Sequence, residues 1–163
     1  MMQEKSLRIR NLTMADIPAV QEIEQNSFSD PWTRITMEDA VTSFSDTAFI
    51  AESSGKVCGY IICGVEDTSE EIFGHICSLA VRPDMRKRGV GTTLLSRAEH
   101  AVMLEKASAM QLEVRVSNLP AIRFYSKMGY EPVFQVCGYY SDTEDAIVMM
   151  KWFRHKNAKA LLF

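Results

Sequence analysis

The chain has 163 residues, of which 47% are hydrophobic and 24% are charged. This length and composition are typical of one globular domain and exclude the disordered, collagenous and membrane-spanning classes. The formal net charge of −3 argues against a nucleic-acid partner held by many phosphate contacts, which requires a strongly basic domain. No apolar run approaches the roughly 18 residues of a membrane span, and residues 1–10 lack the apolar core of a secretory signal. We therefore expect a cytoplasmic protein that contacts neither membrane nor nucleic acid.

The cysteines and histidines do not predict a metal site. No C-x-x-C pair is present, and the cysteines lie in apolar stretches, which favours buried reduced thiols over disulfides or metal ligands. The histidines are scattered without the spacing of zinc ligands. These residues are Cys58, Cys63, Cys77, Cys137, His75, His100 and His155.

The first half of the chain predicts a strand, two helices and three further strands. Thr13 and Asp16 have the spacing of a helix N-cap and an early acidic residue, and Pro31 interrupts the helical pattern that follows. Ser54-Gly55 predicts the turn of a hairpin. Proline after the last of these strands ends it, because proline cannot continue a central ladder. The predicted ranges are a strand over 6–10, a helix from 13, a helix over 33–44, and strands over 48–51, 57–65 and 72–81.

The second half predicts two helices and three strands. Apolar residues recur at helical spacing in the first helix, and strict alternation in the next strand places Glu113 on a polar face. Asn118 can cap the second helix, and Gly129 can end it. The last two strands are predicted to pair antiparallel through a polar turn. The predicted ranges are a helix over 94–106, a strand over 110–116, a helix over 119–128 and strands over 130–140 and 145–153, which complete one α/β domain over 1–153 before a basic tail over 154–163.

A glycine-containing segment connects the strand over 72–81 to the following helix. Its sequence is Arg86-x-x-Gly89-x-Gly91, and a backbone without side chains can approach a ligand closely. Free amides at a helix N-terminus bind phosphate or pyrophosphate, and four cations accompany a single acid in residues 82–88. Neither a Walker A loop nor a dinucleotide fingerprint is present. The segment therefore predicts another phosphate ligand, and a glycine-rich turn with solvated cations is the alternative.

The segment 86–91 matches the signature [Q/R]-x-x-G-x-[G/A], so the chain resembles the GCN5-related N-acetyltransferases. Further motifs resemble the RimI branch of that family, which acetylates the N-terminal alanine of a small-subunit ribosomal protein. These motifs are Ile23-Glu24-Gln25, Asp30-Pro31-Trp32, Leu79-Ala80-Val81, Leu112-Glu113-Val114-Arg115, Ser117-Asn118, Tyr125, Gly129-Tyr130, Tyr139-Tyr140 and Glu144-Asp145-Ala146. The resemblance implies a central mixed, mostly antiparallel sheet flanked by helices, with a splayed pair of parallel strands at the cofactor site.

The resemblance also implies acetyl-CoA as cosubstrate and assigns residues to it position by position. Backbone groups of residues 79–81 would line the pantetheine and the acetyl group, the segment 86–92 would hold the pyrophosphate, and Asn118 would contact CoA. The implied acetyl-CoA-binding residues are Leu79, Ala80, Val81, Arg86, Lys87, Arg88, Gly89, Val90, Gly91, Thr92 and Asn118.

Two further residues match the catalytic pair of the RimI branch. Glu113 matches the general base, which removes a proton from the attacking amine directly or through one water. Tyr125 matches the general acid, which gives a proton to the departing CoA thiolate. From the residues alone, a pair with Arg115 is the simpler explanation of Glu113, and a core position with its hydroxyl at the rim is the simpler explanation of Tyr125. The implied oxyanion donor is an amide of residues 79–81.

The acceptor is less sharply defined by the sequence. Tyr139 and Tyr140 resemble the paired tyrosines beside the family's acceptor channel, and an aromatic strand edge is the alternative. The turn 141–144 is shorter than is usual in the family, and Thr143 stands where arginine often precedes Glu-Asp-Ala. The first hypothesis is transfer to a protein N-terminus, with the ribosomal alanine as leading candidate. Another protein N-terminus, a lysine or a small amine is the alternative acceptor, and a non-catalytic CoA-binding regulatory module is a second alternative.

Overall fold

The computed structural model describes residues 6–153, which form a seven-stranded mixed sheet. The strands are β1 (Leu7–Asn11), β2 (Ala48–Ser53), β3 (Lys56–Asp67), β4 (Ile72–Val81), β5 (Ala109–Arg115), β6 (Glu131–Val136) and β7 (Ala146–Trp152). Their order across the sheet is β1-β2-β3-β4-β5-β7-β6. Neighbouring strands are antiparallel except β4 and β5, which are parallel.

Helices cover both faces of the sheet. They are α1 (Ile17–Ser27), α2 (Arg34–Ser43), α3 (Val90–Leu104) and α4 (Leu119–Lys127). Successive residues of a strand point to opposite faces, and β2 follows this rule. Ile50 belongs to the core beneath α1 and α2, whereas Phe49 belongs to the core beneath α3 and α4. The apolar side chains of β2 are therefore buried on both faces, which accounts for its nearly continuous hydrophobic sequence.

β4 and β5 separate soon after they pair. Their parallel pairing ends at His75 and Gln111, although β4 continues well beyond that point. A β-bulge follows, in which Cys77 is the extra residue in the register of β4 against β3. A bulge bends its strand and increases the local twist, so this bulge accounts for the divergence. The result is a wedge-shaped opening between residues 76–81 of β4 and residues 112–115 of β5.

Gly59 of β3 allows α3 to begin close to the sheet. A Cβ atom at this position would lie 3.1 Å from the carbonyl oxygen of Ala80, 3.1 Å from Leu94 Cδ1 and 3.2 Å from Val90 Cγ1. These separations are tighter than ordinary contacts, so only glycine fits without displacing the helix. The close approach places the first turn of α3 beside the end of β4, at the open end of the wedge.

The structure confirms the predicted fold class, including the splayed parallel pair. The predicted bounds of β4 are correct, and Ser54-Gly55 turns between β2 and β3 with φ values of 53° and 74°. Thr13 and Asp16 form the expected capping box, with the Thr13 amide donating to Asp16 Oδ2 at 2.8 Å. The box caps a single 3₁₀ turn, Met14–Asp16, that precedes α1.

Two predicted ranges differ from the structure by four residues at one end. The apolar periodicity that predicts a helix covers 94–106, whereas α3 begins at Val90, within the glycine-containing segment from which the helix is expected to open, because Gly89 takes a left-handed conformation (φ 80°) as its N-cap and directs the chain into the helix. The strand predicted over 130–140 ends at Val136, and the chain then turns at Gly138, where φ is 61°. Residues 137–145 therefore form a loop, which we call the 137–145 loop.

The predictions about the cysteines are partly confirmed. Cys58, Cys63, Cys77 and Cys137 are free, and the first two are buried, but Cys137 is exposed because it lies in the 137–145 loop. Residues 6–153 contain no group of metal-ligating side chains and no helix long and apolar enough to cross a membrane. The predicted basic tail over 154–163 lies outside the described residues, and the expected cytoplasmic location stays a prediction.

Candidate active site

The segment between β4 and α3 presents backbone amides at a helix N-terminus. Gly89 and Lys87 both have positive φ, 80° and 59°, so the chain is tightly wound before the helix. The first helical hydrogen bond runs from the Thr93 amide to the Gly89 carbonyl at 3.0 Å, which leaves the amides of residues 90–92 without a partner inside the helix. These amides lie at the positive end of the helix dipole, an arrangement suited to a phosphate ester.

Arg86 connects the segment between β4 and α3 to the end of β4 through a hydrogen bond. Its Nε donates to the carbonyl of Val81 at 2.9 Å, and its Nη2 donates to Ser27 Oγ of α1 at 3.3 Å. The Arg82 guanidinium forms a two-point ion pair with Asp84 at 2.6 and 3.0 Å. Among the segment's cations, these two therefore contact the protein itself, whereas Lys87 and Arg88 are exposed.

The end of β4 has one paired edge and one open edge. Leu79, Ala80 and Val81 pair with β3, and the pairing of β4 with β5 has already ended at His75. Within the described residues, the edge that faces the wedge therefore has no strand beside it. Backbone N–H and C=O groups along an open strand edge can bind an extended ligand as an added strand would.

The wedge opens into a groove of about 540 Å³. One wall comes from the end of α1 and the segment that leads into α2, and the other comes from β5, α4 and the 137–145 loop. The lining residues are Glu24, Phe28, Ser29, Asp30, Pro31, Trp32, Thr33, Thr36, Ile76, Cys77, Ser78, Leu79, Leu112, Glu113, Val114, Arg115, Asn118, Ala121, Tyr125, Tyr139 and Tyr140. The groove thus brings together Glu113, Tyr125, Leu79 and Asn118, which the sequence had placed in one site.

Glu113 lies where β5 leaves β4, and its partner is a histidine. Its Oε2 is 2.6 Å from His75 Nε2, and Gln111 Nε2 donates to its Oε1 at 3.4 Å. Burial alone would raise the pKa of Glu113, but the hydrogen bond and charge of His75 outweigh burial and hold that pKa below its ordinary value. The carboxylate is therefore ionised at neutral pH and ready to accept a proton.

The alternative explanation of Glu113, a pair with Arg115, is wrong. Arg115 Nη1 instead donates to Asp142 Oδ2 at 2.8 Å and to Glu144 Oε1 at 3.2 Å. Its guanidinium also lies 4.0 Å from the centre of the Tyr140 ring. Arg115 therefore holds the 137–145 loop against β5 and leaves Glu113 free to face the wedge.

His75 is a site residue that the sequence reasoning did not identify. Its Nδ1 lies 3.2 Å from Glu66 Oε1, so the ring stands between two carboxylates. The hydrogen bond to Glu113 is the main reason that the pKa of His75 is raised, and it outweighs the opposing effect of burial. The only sequence signal was a histidine within the apolar run over 72–81, which indicates a polar position on this strand but does not identify its partner.

Tyr125 lies on α4 within the core and contacts two aromatic rings. Its ring packs edge-on against Phe124 at 5.1 Å and Tyr130 at 5.6 Å between centroids. Burial raises the pKa of its hydroxyl, so Tyr125 stays protonated at neutral pH. Its hydroxyl has no hydrogen-bond partner within residues 6–153, and the side chain lines the groove. A protonated, uncommitted phenol of this kind can donate a proton to a bound ligand.

Asn118 lines the groove and caps α4. Its Oδ1 accepts a hydrogen bond from the amide of Ala121 at 3.3 Å, as the sequence predicted for a helix N-cap. Tyr139 and Tyr140 pack edge-on with a centroid distance of 5.0 Å, and both line the groove. The strand edge considered as an alternative for these tyrosines is wrong, because both lie in the 137–145 loop.

The family can now be assigned. The model of the acetyltransferase (GNAT) family matches residues 17–130, a range that includes the open end of β4, the segment 86–92, Glu113 and Tyr125. The chain belongs to the acetyltransferase (GNAT) family. It is therefore an N-acetyltransferase, and the divergence of β4 and β5 gives this chain the wedge that the resemblance implied.

Individual relatives extend over nearly the whole chain. An uncharacterized N-acetyltransferase from Methanocaldococcus jannaschii is 39% identical over 155 residues, which cover 94% of this chain and 96% of that protein. A putative [ribosomal protein bS18]-alanine N-acetyltransferase from Bacillus subtilis is 34% identical, with 86% and 92% covered. Among solved structures, Ard1 from Thermoplasma volcanium superposes with a TM-score of 0.84 at 28% identity, with 91% and 99% covered.

Proposed function

We propose that this acetyltransferase moves the acetyl group of acetyl-CoA to the α-amine at the N-terminus of a protein. The observation that carries the proposal is the ionised, half-buried Glu113 at the base of the wedge, opposite an open strand edge and in one groove with Tyr125. The groove extends beyond the wedge on the side of the 137–145 loop, which provides room for a peptide. The relative from Bacillus subtilis, whose name specifies a ribosomal alanine, supports this class of acceptor.

The residues present fit acetyl-CoA. The amides of residues 90–92 and the exposed Lys87 and Arg88 suit its pyrophosphate, and residues 79–81 offer an open strand edge to the pantetheine amides. The thioester would then lie in the wedge, where an amide of residues 79–81 can stabilise the oxyanion. Arg86 supports this binding indirectly, because its guanidinium holds the segment against Val81. Asn118, at the N-terminus of α4, would contact CoA from the opposite wall.

Glu113 and Tyr125 can carry out the proton transfers that acetyl transfer to an amine requires. A protein α-amine has an ordinary pKa near 7.7 to 8.0 and must lose a proton before it can attack a thioester. Glu113 takes that proton directly or through one water, and His75 fixes the carboxylate at 2.6 Å. The neutral amine then attacks the acetyl carbon to form a tetrahedral oxyanion, which collapses as the carbon–sulfur bond breaks. Tyr125 gives a proton to the departing thiolate, so that CoA leaves as the neutral thiol. The second proton that the nitrogen loses as it becomes an amide restores the Tyr125 hydroxyl, and the proton on Glu113 passes to solvent.

The leading acceptor is the N-terminal alanine of a small-subunit ribosomal protein. It rests on the RimI-like motifs and on the relative from Bacillus subtilis. A different protein N-terminus is the nearest alternative, because the turn 141–144 is shorter than is usual in the family and carries Thr143 where the family often has arginine. A CoA-binding module without catalysis is disfavoured, because such a module has no need of the His75–Glu113 pair or of an uncommitted Tyr125 hydroxyl.

The test is release of CoA from acetyl-CoA in the presence of peptides that differ only in their first residue. We expect the wild-type protein to acetylate a peptide with N-terminal alanine. Glu113→Gln and Tyr125→Phe are each expected to lower kcat/KM by about 100-fold, the usual contribution of one acid or base group. Binding of acetyl-CoA, measured by calorimetry, should be unchanged in both variants.

Matched controls separate chemistry from stability. Glu99→Gln alters another buried carboxylate, which accepts hydrogen bonds from Tyr130 and Lys151, and Tyr130→Phe removes a buried hydroxyl next to the Tyr125 ring. Both controls should retain activity. Wild-type activity on free amines but on no peptide would contradict the protein acceptor, and full activity of Glu113→Gln and Tyr125→Phe would contradict the catalytic assignments.

A further inference from the structure

Two side chains of α1 hold the backbone of Trp32 from both sides. The Trp32 amide donates to Glu24 Oε1 at 3.1 Å, and the Trp32 carbonyl accepts from Gln21 Nε2 at 2.7 Å. Glu24 and Gln21 are three residues apart on α1, so they face the same side of the helix. Trp32 lies in the segment between α1 and α2, here called the 28–33 segment, which forms one wall of the groove.

Glu24 is also anchored to the floor of the groove. Its Oε2 accepts hydrogen bonds from the hydroxyls of Tyr60 on β3 and Ser78 on β4, the latter at 3.0 Å. The two hydroxyls lie 2.9 Å apart, which closes a buried triangle. Ser78 directly precedes Leu79 at the open edge of β4. One carboxylate therefore links the wall of the groove to the strand on which we place the acetyl group.

Glu24 is a buried carboxylate at a position that an apolar side chain could fill. Only 2% of the residue is exposed, and no cation lies within ion-pairing distance of it in residues 6–153. A buried carboxylate without a cation is costly unless several hydrogen bonds compensate it. Here three donors from three elements supply them. An apolar residue would fill the space without that cost, so the arrangement favours a role in placing the donors themselves.

We infer that Glu24 and Gln21 are positioning residues that fix Trp32, and with it the 28–33 segment, at the distance from β4 that the acceptor chain requires. The inference rests on the proposed function, because it assigns this wall of the groove to the acceptor. We call the hydrogen bonds of Glu24 and Gln21 to the Trp32 backbone the Trp32 clamp. The inference predicts that this clamp sets the affinity for the acceptor peptide. The chemical step and acetyl-CoA binding do not depend on it. In the Glu24→Leu variant, all three hydrogen bonds to the carboxylate are lost, whereas Glu24→Gln could keep them, because an amide N–H can donate to the hydroxyl oxygen of Tyr60 or Ser78.

The first measurement separates KM from kcat with the full-length protein and an alanine-initiated peptide. Glu24→Leu and Gln21→Leu are each expected to raise the peptide KM on the order of tenfold, because each removes one hydrogen bond that holds the Trp32 backbone. The kcat value and the KM for acetyl-CoA should stay at the wild-type values. Glu99→Leu, on α3 and remote from this wall, is the matched control and should not change the peptide KM.

The second measurement does not depend on acetyl transfer. The chain has two tryptophans, Trp32 and the half-exposed Trp152, so Trp152→Phe makes Trp32 the sole tryptophan reporter. In that background, Glu24→Leu should increase quenching of Trp32 fluorescence by acrylamide, because the 28–33 segment is released. Glu99→Leu should not change the quenching.

The outcomes are distinguishable. Unchanged peptide KM and unchanged Trp32 quenching in Glu24→Leu would overturn the inference, as would a loss of kcat at constant peptide KM, which would make Glu24 a catalytic group. If the wild-type protein acetylates no peptide, the proposed function fails. The quenching measurement then decides the positioning role alone: increased quenching supports it, and unchanged quenching overturns it.

Discussion

His75 Nε2 lies 2.6 Å from Glu113 Oε2, although the two residues are 38 positions apart and lie on parallel strands that have begun to diverge. The side chains are mostly buried, with 23% of His75 and 15% of Glu113 exposed. Each perturbs the other in the direction expected for an ion pair: the pKa of His75 is raised and that of Glu113 is lowered. The pair therefore links the pH dependence of stability to the catalytic site.

The first prediction concerns the pH range in which this pair stabilises the fold. Because the folded-state pKa of His75 is raised, its contribution is complete below the ordinary value of 6.5 and is lost as pH rises through the folded-state pKa. Because the pKa of Glu113 is lowered, its contribution is present above the ordinary value of 4.5 and is lost as pH falls through the folded-state pKa. The pair thus stabilises the fold most between these two values.

We therefore expect His75→Gln to lower Tm more at pH 6 than at pH 9. Thermal unfolding followed by circular dichroism at the two pH values tests this difference. The control is His100→Gln, since His100 is exposed on α3 and its replacement leaves the His75–Glu113 pair in place. An equal decrease for His75→Gln at pH 6 and pH 9 would show that the ion pair contributes nothing to folding.

The second prediction concerns the glycine that starts α3. Gly89 has a φ of 80°, and a residue with a Cβ pays roughly 1 to 2 kcal/mol in this left-handed region. Gly89→Ala should lower the free energy of unfolding by about 1 kcal/mol and also weaken acetyl-CoA binding, because the amides of residues 90–92 depend on this geometry. Urea unfolding and calorimetric titration measure the two effects.

Gly55 provides the matched control for this prediction. It has a similar φ of 74°, and no atom lies within 4 Å of an added Cβ, but it lies in the turn between β2 and β3. Gly55→Ala should therefore cost about the same stability and leave acetyl-CoA affinity unchanged. If both variants bind acetyl-CoA as the wild-type protein does, the glycine-containing segment does not hold the pyrophosphate.

Local sequence was sufficient to predict much of the fold. The bounds of β4 follow from an apolar run that ends before Pro83, and the turn at Ser54-Gly55 follows from residues that tolerate positive φ. α3 extends one turn before the periodicity over 94–106, because Val90, buried four residues before Leu94, continues the apolar face, and Gly91 obscures the helix signal between them. The end of β6 was misplaced because aromatic residues up to Tyr140 fit a strand, although Gly138 turns the chain and those tyrosines line the groove.

Part of the candidate site can likewise be predicted from local sequence, and the rest depends on tertiary structure. A segment such as 86–91 is contiguous, so its glycine spacing and its local positive charge can be read directly from the sequence, and together they predict a phosphate ligand. The partner of Glu113 depends instead on the parallel register that pairs His75 with Gln111 and on the bulge at Cys77, neither of which has a local sequence signal. The clamp on Trp32 likewise depends on how α1 packs against β3 and β4, and the Glu24 hydroxyl partners come from strands far along the chain.

The third prediction concerns Arg115 and the 137–145 loop. Arg115 pairs with Asp142 and Glu144 and lies over the Tyr140 ring. These contacts are partly exposed, so Arg115→Ala should cost only about 1 kcal/mol of stability. The freed loop should raise the KM for the acceptor peptide and leave acetyl-CoA affinity unchanged, as steady-state kinetics and calorimetry would measure.

Arg97 offers the control for Arg115. Its guanidinium lies 4.4 Å from the centre of the Phe49 ring, so Arg97→Ala also removes a cation–π contact, but on α3 and outside the groove lining. That variant should bind the peptide normally. A peptide KM that is unchanged in Arg115→Ala would show that the 137–145 loop does not contribute to the acceptor site.

The last prediction concerns Gly74, in the short stretch where β4 and β5 pair before they diverge. A Cβ at this position would lie 2.7 Å from Met110 Sδ and 2.9 Å from Val102 Cγ2, so Gly74→Ala must displace the Met110 side chain on β5 and Val102 on α3. Such overpacking should cost about 1 to 3 kcal/mol in the free energy of unfolding measured with urea. At Gly64 a Cβ would meet only the edge of the Phe44 ring, at 3.2 Å, so Gly64→Ala should cost less. If the two variants are equally stable, β4 and β5 accommodate a methyl group at Gly74 without strain. The wedge then does not depend on the close pairing of these two strands.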